Sequence, residues 1–246
     1  GGLLMSAFGT HFGFFVASIG WFAMFLATTV LPRRGTSEVT RSVLRDLGTG
    51  ISYIRTQRVL LVLMILAFSN MLFVFGWIGM LPAYVELFGG GKKEVGFMFS
   101  SAGIGAFSGI MVAGRLSPGR RLGWLILGGA TSFSTIMLFV ANSPALGVSM
   151  ALATLAHFGN GLFNISAIVA VQLRVPEGIR GRVMGVFAIS QSVGLLGGLW
   201  TGSLATVLGI RTGMMIGPGI MLLMILTIFI TQRKVRKLHE DPTLDS

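Results

Sequence analysis

The fold class of this chain is decided by residues 144–174, which read PALGVSMALATLAHFGNGLFNISAIVAVQLR. No charged side chain lies between Pro144 and Arg174, so 29 consecutive residues are uncharged. A helix of that length crosses a bilayer at a tilt. The stretch therefore predicts a membrane-spanning helix.

A polar stripe runs along this apolar stretch. His157, Asn160 and Asn164 stand at spacings i, i+3 and i+7, and Thr154 precedes them by one turn. Side chains at these spacings share one face of a helix. Because a polar face against hydrocarbon is costly, we expect the stripe to face a bundle interior or a water-filled cavity. Two interpretations stay open: the amides hydrogen-bond to neighbouring helices, or the four residues line a substrate cavity.

The composition sets the class of the whole protein. Of 246 residues, 53% are hydrophobic and 11% are charged, and the mean hydropathy is +0.82. A soluble domain of this size cannot bury so much apolar surface, so we expect an all-α polytopic membrane protein. Cysteine is absent, which excludes disulfides and thiolate metal sites. No cofactor is expected.

Six further stretches are apolar and of spanning length. They are residues 14–31, 59–81, 95–114, 122–140, 183–208 and 213–230. The chain opens without an initiator Met or a signal peptide, so we interpret residues 1–8 as the remnant of a span cut inside a longer protein. Residues 32–58 are basic and carry apolar residues at helical spacing (Leu44, Leu47, Ile51 and Ile54). They predict an amphipathic linker helix on the membrane surface.

The basic residues alternate between the loops. Sixteen of the nineteen Lys and Arg residues lie in the linker, in the turns at 115–121 and 174–182, and in the tail. The intervening loops hold only Lys92, Lys93 and Arg211. By the positive-inside rule the linker and the C-terminus are cytoplasmic. The net charge of +11 therefore indicates contact with the lipid bilayer, and no nucleic-acid partner is needed to explain it.

A second stripe lies in the predicted span 59–81. Asn70, Phe73 and Trp77 stand at i, i+3 and i+7. Aromatic rings and an amide on one face suit a lipophilic ligand, through stacking and one hydrogen bond. Ordinary packing, with Trp77 in an interfacial aromatic belt, is the other interpretation.

His157 is the candidate for proton coupling. All eight Asp and Glu residues lie outside the predicted spans, so His157 is the one ionisable side chain deep within a span. An unperturbed pKa of about 6.5 allows imidazole to carry a proton. The alternative is a buried neutral histidine that only hydrogen-bonds.

Small residues form two predicted helix-packing seams. At four-residue spacing, small side chains let neighbouring backbones approach closely. The first seam is Ser101, Gly105 and Gly109, and the second is Gly194, Gly198 and Gly202.

Enzymatic classes lack their motifs, and we expect no enzyme activity. There is no HExxH metal motif and no Walker phosphate loop. The last span, 213–230, contains no lysine that could form a retinal Schiff base.

Six spans that follow a basic cytoplasmic linker resemble the C-terminal half of a major facilitator superfamily transporter, with the end of its N-terminal half attached. Residues 114–121 resemble a shortened form of the family's cytoplasmic loop Gly-x-Leu-x-Asp-Arg-x-Gly-Arg-Arg, without its Asp; Gly114, Arg115, Gly119, Arg120 and Arg121 carry the likeness. Residues 175–185 and 44–60 are similar to the branch that includes macrolide-efflux and enterobactin-exporter-like proteins.

The resemblance implies four segments: 1–31 ends the N-terminal bundle, 32–58 is the linker, 59–230 is the C-terminal six-helix bundle and 231–246 is the tail. It also implies alternating access in the inner membrane, with proton-coupled export of a small lipophilic compound such as a drug, a macrolide or a siderophore. The missing N-terminal half would then be the partner. A non-transporting membrane scaffold and a channel stay open as alternatives.

Overall fold

This computed structural model describes residues 10–30, 43–115, 122–236 and 238. The described part holds helices and no strand. In chain order the helices are α1 Thr10–Val30, α2 Val43–Thr56, α3 Arg58–Ser69, α4 Trp77–Glu86, α5 Lys92–Arg115, α6 Leu122–Ala141, α7 Leu146–Arg174, α8 Glu177–Ser192, α9 Gly194–Leu208, α10 Ile210–Thr231 and α11 Arg233–Arg236. A π-helical segment, Asn70–Val74, stands between α3 and α4.

Six helical stretches of the described chain are long and apolar enough to cross a membrane. They are Arg58–Glu86, Lys92–Arg115, Leu122–Ala141, Leu146–Arg174, Glu177–Leu208 and Ile210–Thr231. The prediction of an all-α polytopic membrane protein is confirmed. Helix α1 covers most of the predicted span 14–31, and its described side chains from Ser18 to Val30 are all exposed.

The first of the six spans is broken in its middle. The Phe75 N–H donates to the Asn70 carbonyl at 3.0 Å, which is the i to i+5 bond of a π-helix. A turn at Phe75 and Gly76 follows before α4 begins. A Cβ on Gly76 would meet the Gly197 carbonyl, so the backbone of the break lies directly against α9.

Helix α7 is the central element of the bundle, and α5 and α6 pack along it. Glycines permit the close approach on both sides. A Cβ on Gly105 or Gly109 would meet the carbonyl of Thr154 or of Phe158, and one on Gly129 would meet the backbone of α7 at Gly159. The 29 residues of α7 are therefore held between two neighbours at backbone distance.

The remaining spans close the bundle. Helices α8 and α9 form one span that bends at Val193, and α10 packs against α6, α9 and the π segment. A single residue, Gly209 with φ +86°, joins α9 to α10. Few residues other than glycine adopt that φ, so this tight turn depends on it.

The linker helix α2 docks on the start of α8. Arg182 Nε donates to Asp46 Oδ1 at 2.9 Å, and a Cβ on Gly50 would lie 2.8 Å from the Arg182 carbonyl. On the apolar face, Ile54 is 4% exposed and Ile51 is 40% exposed. The structure thus places a helix in the predicted linker, with one side packed on the bundle.

Candidate functional site

The polar stripe of α7 lies largely inside the bundle. His157 is 4% exposed and Asn160 is 6% exposed, whereas Thr154 and Asn164 are half-buried. Rings of the first span and of α6 lie against His157 in the middle of the stripe. The centre of the stripe therefore faces protein, and only its two ends reach the surface of the bundle.

The hydrogen bonds of the stripe run along α7. Asn164 Nδ2 donates to the carbonyl oxygen of Asn160 at 3.4 Å and to its Oδ1 at 3.2 Å. Thr154 Oγ1 donates to the Met150 carbonyl at 3.1 Å. Within the part of the chain that the structure describes, these side chains make no hydrogen bond to another helix. The interpretation as hydrogen-bonding contacts between spans therefore gains no support from the geometry.

His157 is enclosed by three aromatic rings from two other spans. Its ring centroid lies 5.2 Å from that of Phe133, 5.4 Å from that of Trp77 and 6.4 Å from that of Phe75. On its own helix, Nδ1 lies 2.9 Å from the Ala153 carbonyl. The structure thus brings together Trp77 and His157, which the sequence placed in two separate stripes. Phe75 and Phe133 were missed, because nothing in the sequence sets them apart among 19 phenylalanines.

Asn70 begins the π segment and is fully buried, with 0% exposure. Among the described residues neither its Nδ2 nor its Oδ1 has a hydrogen-bond partner, and the same holds for Trp77 Nε1. A buried polar group left unpaired costs about 1–3 kcal/mol. The first span therefore carries polar groups whose hydrogen-bonding capacity its own neighbours do not use.

Two further buried hydroxyls also lack hydrogen-bond partners among the described residues, and neither was identified from the sequence. They are Ser134 Oγ and Thr201 Oγ1. Thr201 lies beside the break, since a Cβ on Gly76 would be 2.7 Å from its Oγ1. The four-residue spacing of Gly197, Thr201 and Ala205 is the sequence signal that could have found it.

Phe73 does not share a face with Trp77, which corrects the predicted stripe. The Phe73 ring packs edge-on against Trp200 of α9, with centroids 5.3 Å apart and an interplanar angle of 73°, whereas Trp77 packs against His157. The i, i+3, i+7 argument assumes a regular α-helix. The π segment and the turn after it change the register between the two residues.

The two predicted seams differ in how closely they pack. In the first, Gly105 and Gly109 lie against α7, and Ser101 Oγ donates to the Phe97 carbonyl at 2.9 Å.

In the second seam, nothing lies within 4 Å of a Cβ on Gly194, and a Cβ on Gly198 or Gly202 makes only ordinary contacts. The close approach falls instead at Gly197, where a Cβ would be 2.6 Å from the Leu72 carbonyl. The tight face of α9 is thus offset from the predicted one.

The loop motif lies at the edge of the described chain. Gly114 and Arg115 end α5 and are exposed. Gly119, Arg120 and Arg121 lie outside the described residues. Elsewhere in the described chain, no group of three or more His, Asp or Glu side chains could hold a metal ion.

These groups together define the chemistry of the site. The Asn70 amide and the Trp77 indole offer unused hydrogen-bonding atoms, and the rings around His157 offer flat apolar surface. Such a combination binds a molecule that is mostly apolar and carries a few polar atoms. The imidazole adds a second ring nitrogen, Nε2, beside the Nδ1 that lies 2.9 Å from the Ala153 carbonyl.

A family model described as Major Facilitator Superfamily matches residues 1–198. No curated protein matches the chain, and neither does any solved structure.

Proposed function

The chain belongs to the major facilitator superfamily, and from that premise we propose how it works. The family and the six apolar helices make it a multi-pass membrane transporter. We propose that it exports a small lipophilic compound, such as a drug, a macrolide or a siderophore, in exchange for protons. The resemblance of residues 175–185 and 44–60 to macrolide-efflux and enterobactin-exporter-like proteins supports this assignment.

The observations that carry the proposal are the contact of Trp77 with His157 and the unpaired, buried amide of Asn70 in the same span as Trp77. Each of the three is at most 4% exposed, and a lipophilic substrate would stack on the rings and pair with the unused amide and indole atoms. Because the three residues are buried, substrate entry requires α4 to move away from α7. The break between α3 and α4 is the place where the first span can bend. Thr154, Asn160 and Asn164 extend the proposed cavity along α7 toward the surface of the bundle.

His157 is the proposed proton carrier of this bundle. In the described residues of the six spans it is the one His, Asp, Glu, Lys or Arg away from the helix ends. With the proton on Nδ1 donated to the Ala153 carbonyl, Nε2 is the nitrogen that gains and loses a proton.

We further propose the topology. Residues 1–31 end the N-terminal bundle, the linker 32–58 and the tail 231–246 are cytoplasmic, and 59–230 form the second rocking bundle in the inner membrane. The N-terminal half of the same protein supplies the opposing bundle. The charge of the loops supports this arrangement.

Because the chain contains no cysteine, single cysteines test the topology directly. A membrane-impermeant maleimide should label Gly91→Cys in intact cells, and should label Thr56→Cys only after the inner face is opened. The reverse pattern would overturn the topology.

The transport mechanism is tested in proteoliposomes that contain the protein as its gene encodes it. An imposed pH gradient should drive accumulation of a macrolide, and His157→Ala should abolish the dependence on the gradient. His11→Gln, an exposed histidine on α1, is the matched control and should behave as the parent protein. If His157→Ala leaves both transport and its pH dependence unchanged, His157 is not the coupling group.

The substrate class is tested separately. Trp77→Phe keeps a ring but removes the Nε1–H. The KM for macrolide transport should therefore rise about tenfold, which corresponds to the free energy of one lost hydrogen bond to a polar ligand atom. Trp124→Phe, at a half-exposed tryptophan outside the proposed site, should leave KM unchanged. Transport of a hydrophilic sugar with no transport of the macrolide would show that the proposed substrate class is wrong.

A further inference from the structure

The linker helix α2 forms one wall of a surface groove that lies outside the proposed substrate site. The groove has a volume of about 610 Å³, and it lies between one face of α2 and Ile179 near the start of α8. Its polar lining comes from Arg45, Thr49, Ser52 and Thr56.

Two of the polar groups are available to a ligand. Thr49 Oγ1 donates to the Arg45 carbonyl at 2.9 Å, and Thr56 Oγ1 donates to the Tyr53 carbonyl at 2.7 Å, so these hydroxyl protons are already used. The Arg45 guanidinium and the Ser52 hydroxyl make no hydrogen bond or ion pair within the described part of the chain. Because the two residues are seven apart on α2, they lie on the same helix face.

The neighbouring ion pair leaves Arg45 as the uncompensated charge. A second cavity, of about 220 Å³, adjoins the groove and is lined by Arg45, Asp46, Thr49 and Arg182. Asp46 is engaged by Arg182 Nε at 2.9 Å, so its carboxylate is paired with Arg182 and not with Arg45. The groove therefore presents a positive charge and a hydroxyl donor, which suit an anion.

The position of the groove identifies the source of that anion. Helix α2 ends at Thr56, and the first span begins at Arg58. Ile179 is the third residue of the span Glu177–Leu208. The end of the groove at Thr56 and Ile179 therefore adjoins the ends of two spans, and the ends of membrane spans are where lipid headgroups lie. The rings and methyl groups of Tyr53 and Ile179 give the groove an apolar wall for the upper part of an acyl chain.

We propose that this groove binds one anionic phospholipid, with the phosphate on Arg45 and Ser52 and the glycerol region against Tyr53 and Ile179. Anionic lipid attracts any basic segment near the membrane. The proposal differs from that general attraction because it assigns the binding to one face of α2. It is independent of the substrate and of the direction of transport.

The test compares two arginines on the same helix. Arg45→Gln and Arg55→Gln remove the same charge at exposed positions, but only Arg45 lines the groove. The full chain in neutral detergent is titrated with dihexanoyl phosphatidylglycerol, and the rise in unfolding temperature gives the apparent affinity. We expect Arg45→Gln to weaken it at least fivefold, Ser52→Ala about threefold, and Arg55→Gln less than twofold.

Three results would overturn the proposal. Equal losses for the two arginine variants would show diffuse electrostatic attraction. Equal stabilisation by dihexanoyl phosphatidylcholine would show that the groove does not recognise the negative charge of the headgroup. Stabilisation by glycerol 3-phosphate at the same concentrations would show a site for a soluble phosphate instead of a lipid.

Discussion

The hydroxyl of Tyr84 lies 2.8 Å from the hydroxyl of Ser149, which joins the end of the first span to the start of α7. The same Tyr84 hydroxyl lies 3.0 Å from Ser143 Oγ and donates to the Val140 carbonyl at the end of α6. Tyr84 is 0% exposed. One phenolic oxygen thus connects the ends of three spans on one side of the bundle.

Replacing Tyr84 tests this connection. Tyr84→Phe keeps the ring but removes the hydroxyl on which the other groups depend, so the free energy of unfolding should fall by about 1–3 kcal/mol. Thermal unfolding in detergent measures the change. The control is Tyr53→Phe, at the only other tyrosine of the chain, which should shift the free energy by less than about 0.5 kcal/mol. Equal shifts would contradict a specific role for the Tyr84 hydroxyl.

The Asn70 amide should lower the stability of the bundle while it supports transport. Asn70→Leu is similar in size and removes two unpaired buried polar atoms, so the protein should become more stable by about 1–3 kcal/mol while transport falls. Asn164→Leu is the matched control, because it removes hydrogen bonds that Asn164 makes to Asn160 and should destabilise. A less stable Asn70→Leu protein would mean that the amide is paired in the native bundle.

Replacing two glycines of α5 by alanine should change the free energy of unfolding in different directions. Gly109→Ala inserts a methyl group against the Phe158 carbonyl and should destabilise the bundle by about 1–3 kcal/mol. Gly103→Ala adds the same methyl group where nothing lies within 4 Å. It should be neutral or stabilise by up to about 1 kcal/mol, through helix propensity. Both changes are read from thermal unfolding, and a neutral Gly109→Ala would contradict the close packing of α5 on α7.

The ion pair between Asp46 and Arg182 should hold α2 in place more than it stabilises the whole fold. Its side chains are 37% and 26% exposed, so solvent screens the pair and its coupling free energy should be about 0.5–1 kcal/mol. Arg182→Gln should therefore increase amide hydrogen exchange in α2, with little change in the unfolding temperature. The exchanged pair Asp46→Arg with Arg182→Asp should restore the protection of α2. No change in exchange for Arg182→Gln would show that apolar packing alone docks the helix.

The positions of the membrane spans could be predicted from the lengths of the uncharged, apolar stretches. Each of the six spans in 59–230 was located by an uncharged stretch between polar turns, and the structure has a helix at each. The helices begin earlier than predicted at Lys92, Glu177 and Ile210. The reason is that a helix continues through polar residues outside the hydrocarbon, so charge marks the membrane boundary and not the helix end.

The break in the first span could not be predicted. Residues 70–76 read NMLFVFG, which an α-helix accommodates as readily as a π segment, because no proline lies there. What selects the π form is tertiary: carbonyls of the segment lie against Gly197 of α9 and Gly217 of α10. Sequence spacing therefore placed Trp77 in one stripe with Asn70 and His157 in another, and did not predict the contact of Trp77 with His157.

The packing face of α9 was missed for a related reason. Its sequence GLLGGLWTGSLATVL contains two stripes of small residues, one through Gly194, Gly198 and Gly202 and one through Gly197, Thr201 and Ala205. Both satisfy the four-residue rule. The positions of α4, the π segment and α10 decide which stripe is covered, and that information is absent from α9 itself.

The π segment also constrains how the protein is made. A Cβ on Gly197 would meet the carbonyls of Met71 and Leu72, and one on Gly217 would meet that of Phe73, so the two glycines cover backbone belonging to the first span. The ribosome delivers both glycines long after that span has entered the membrane. Until α10 has been translated and inserted, the middle of the first span lacks its cover. The packing around the π segment is therefore complete only after α10 has been inserted.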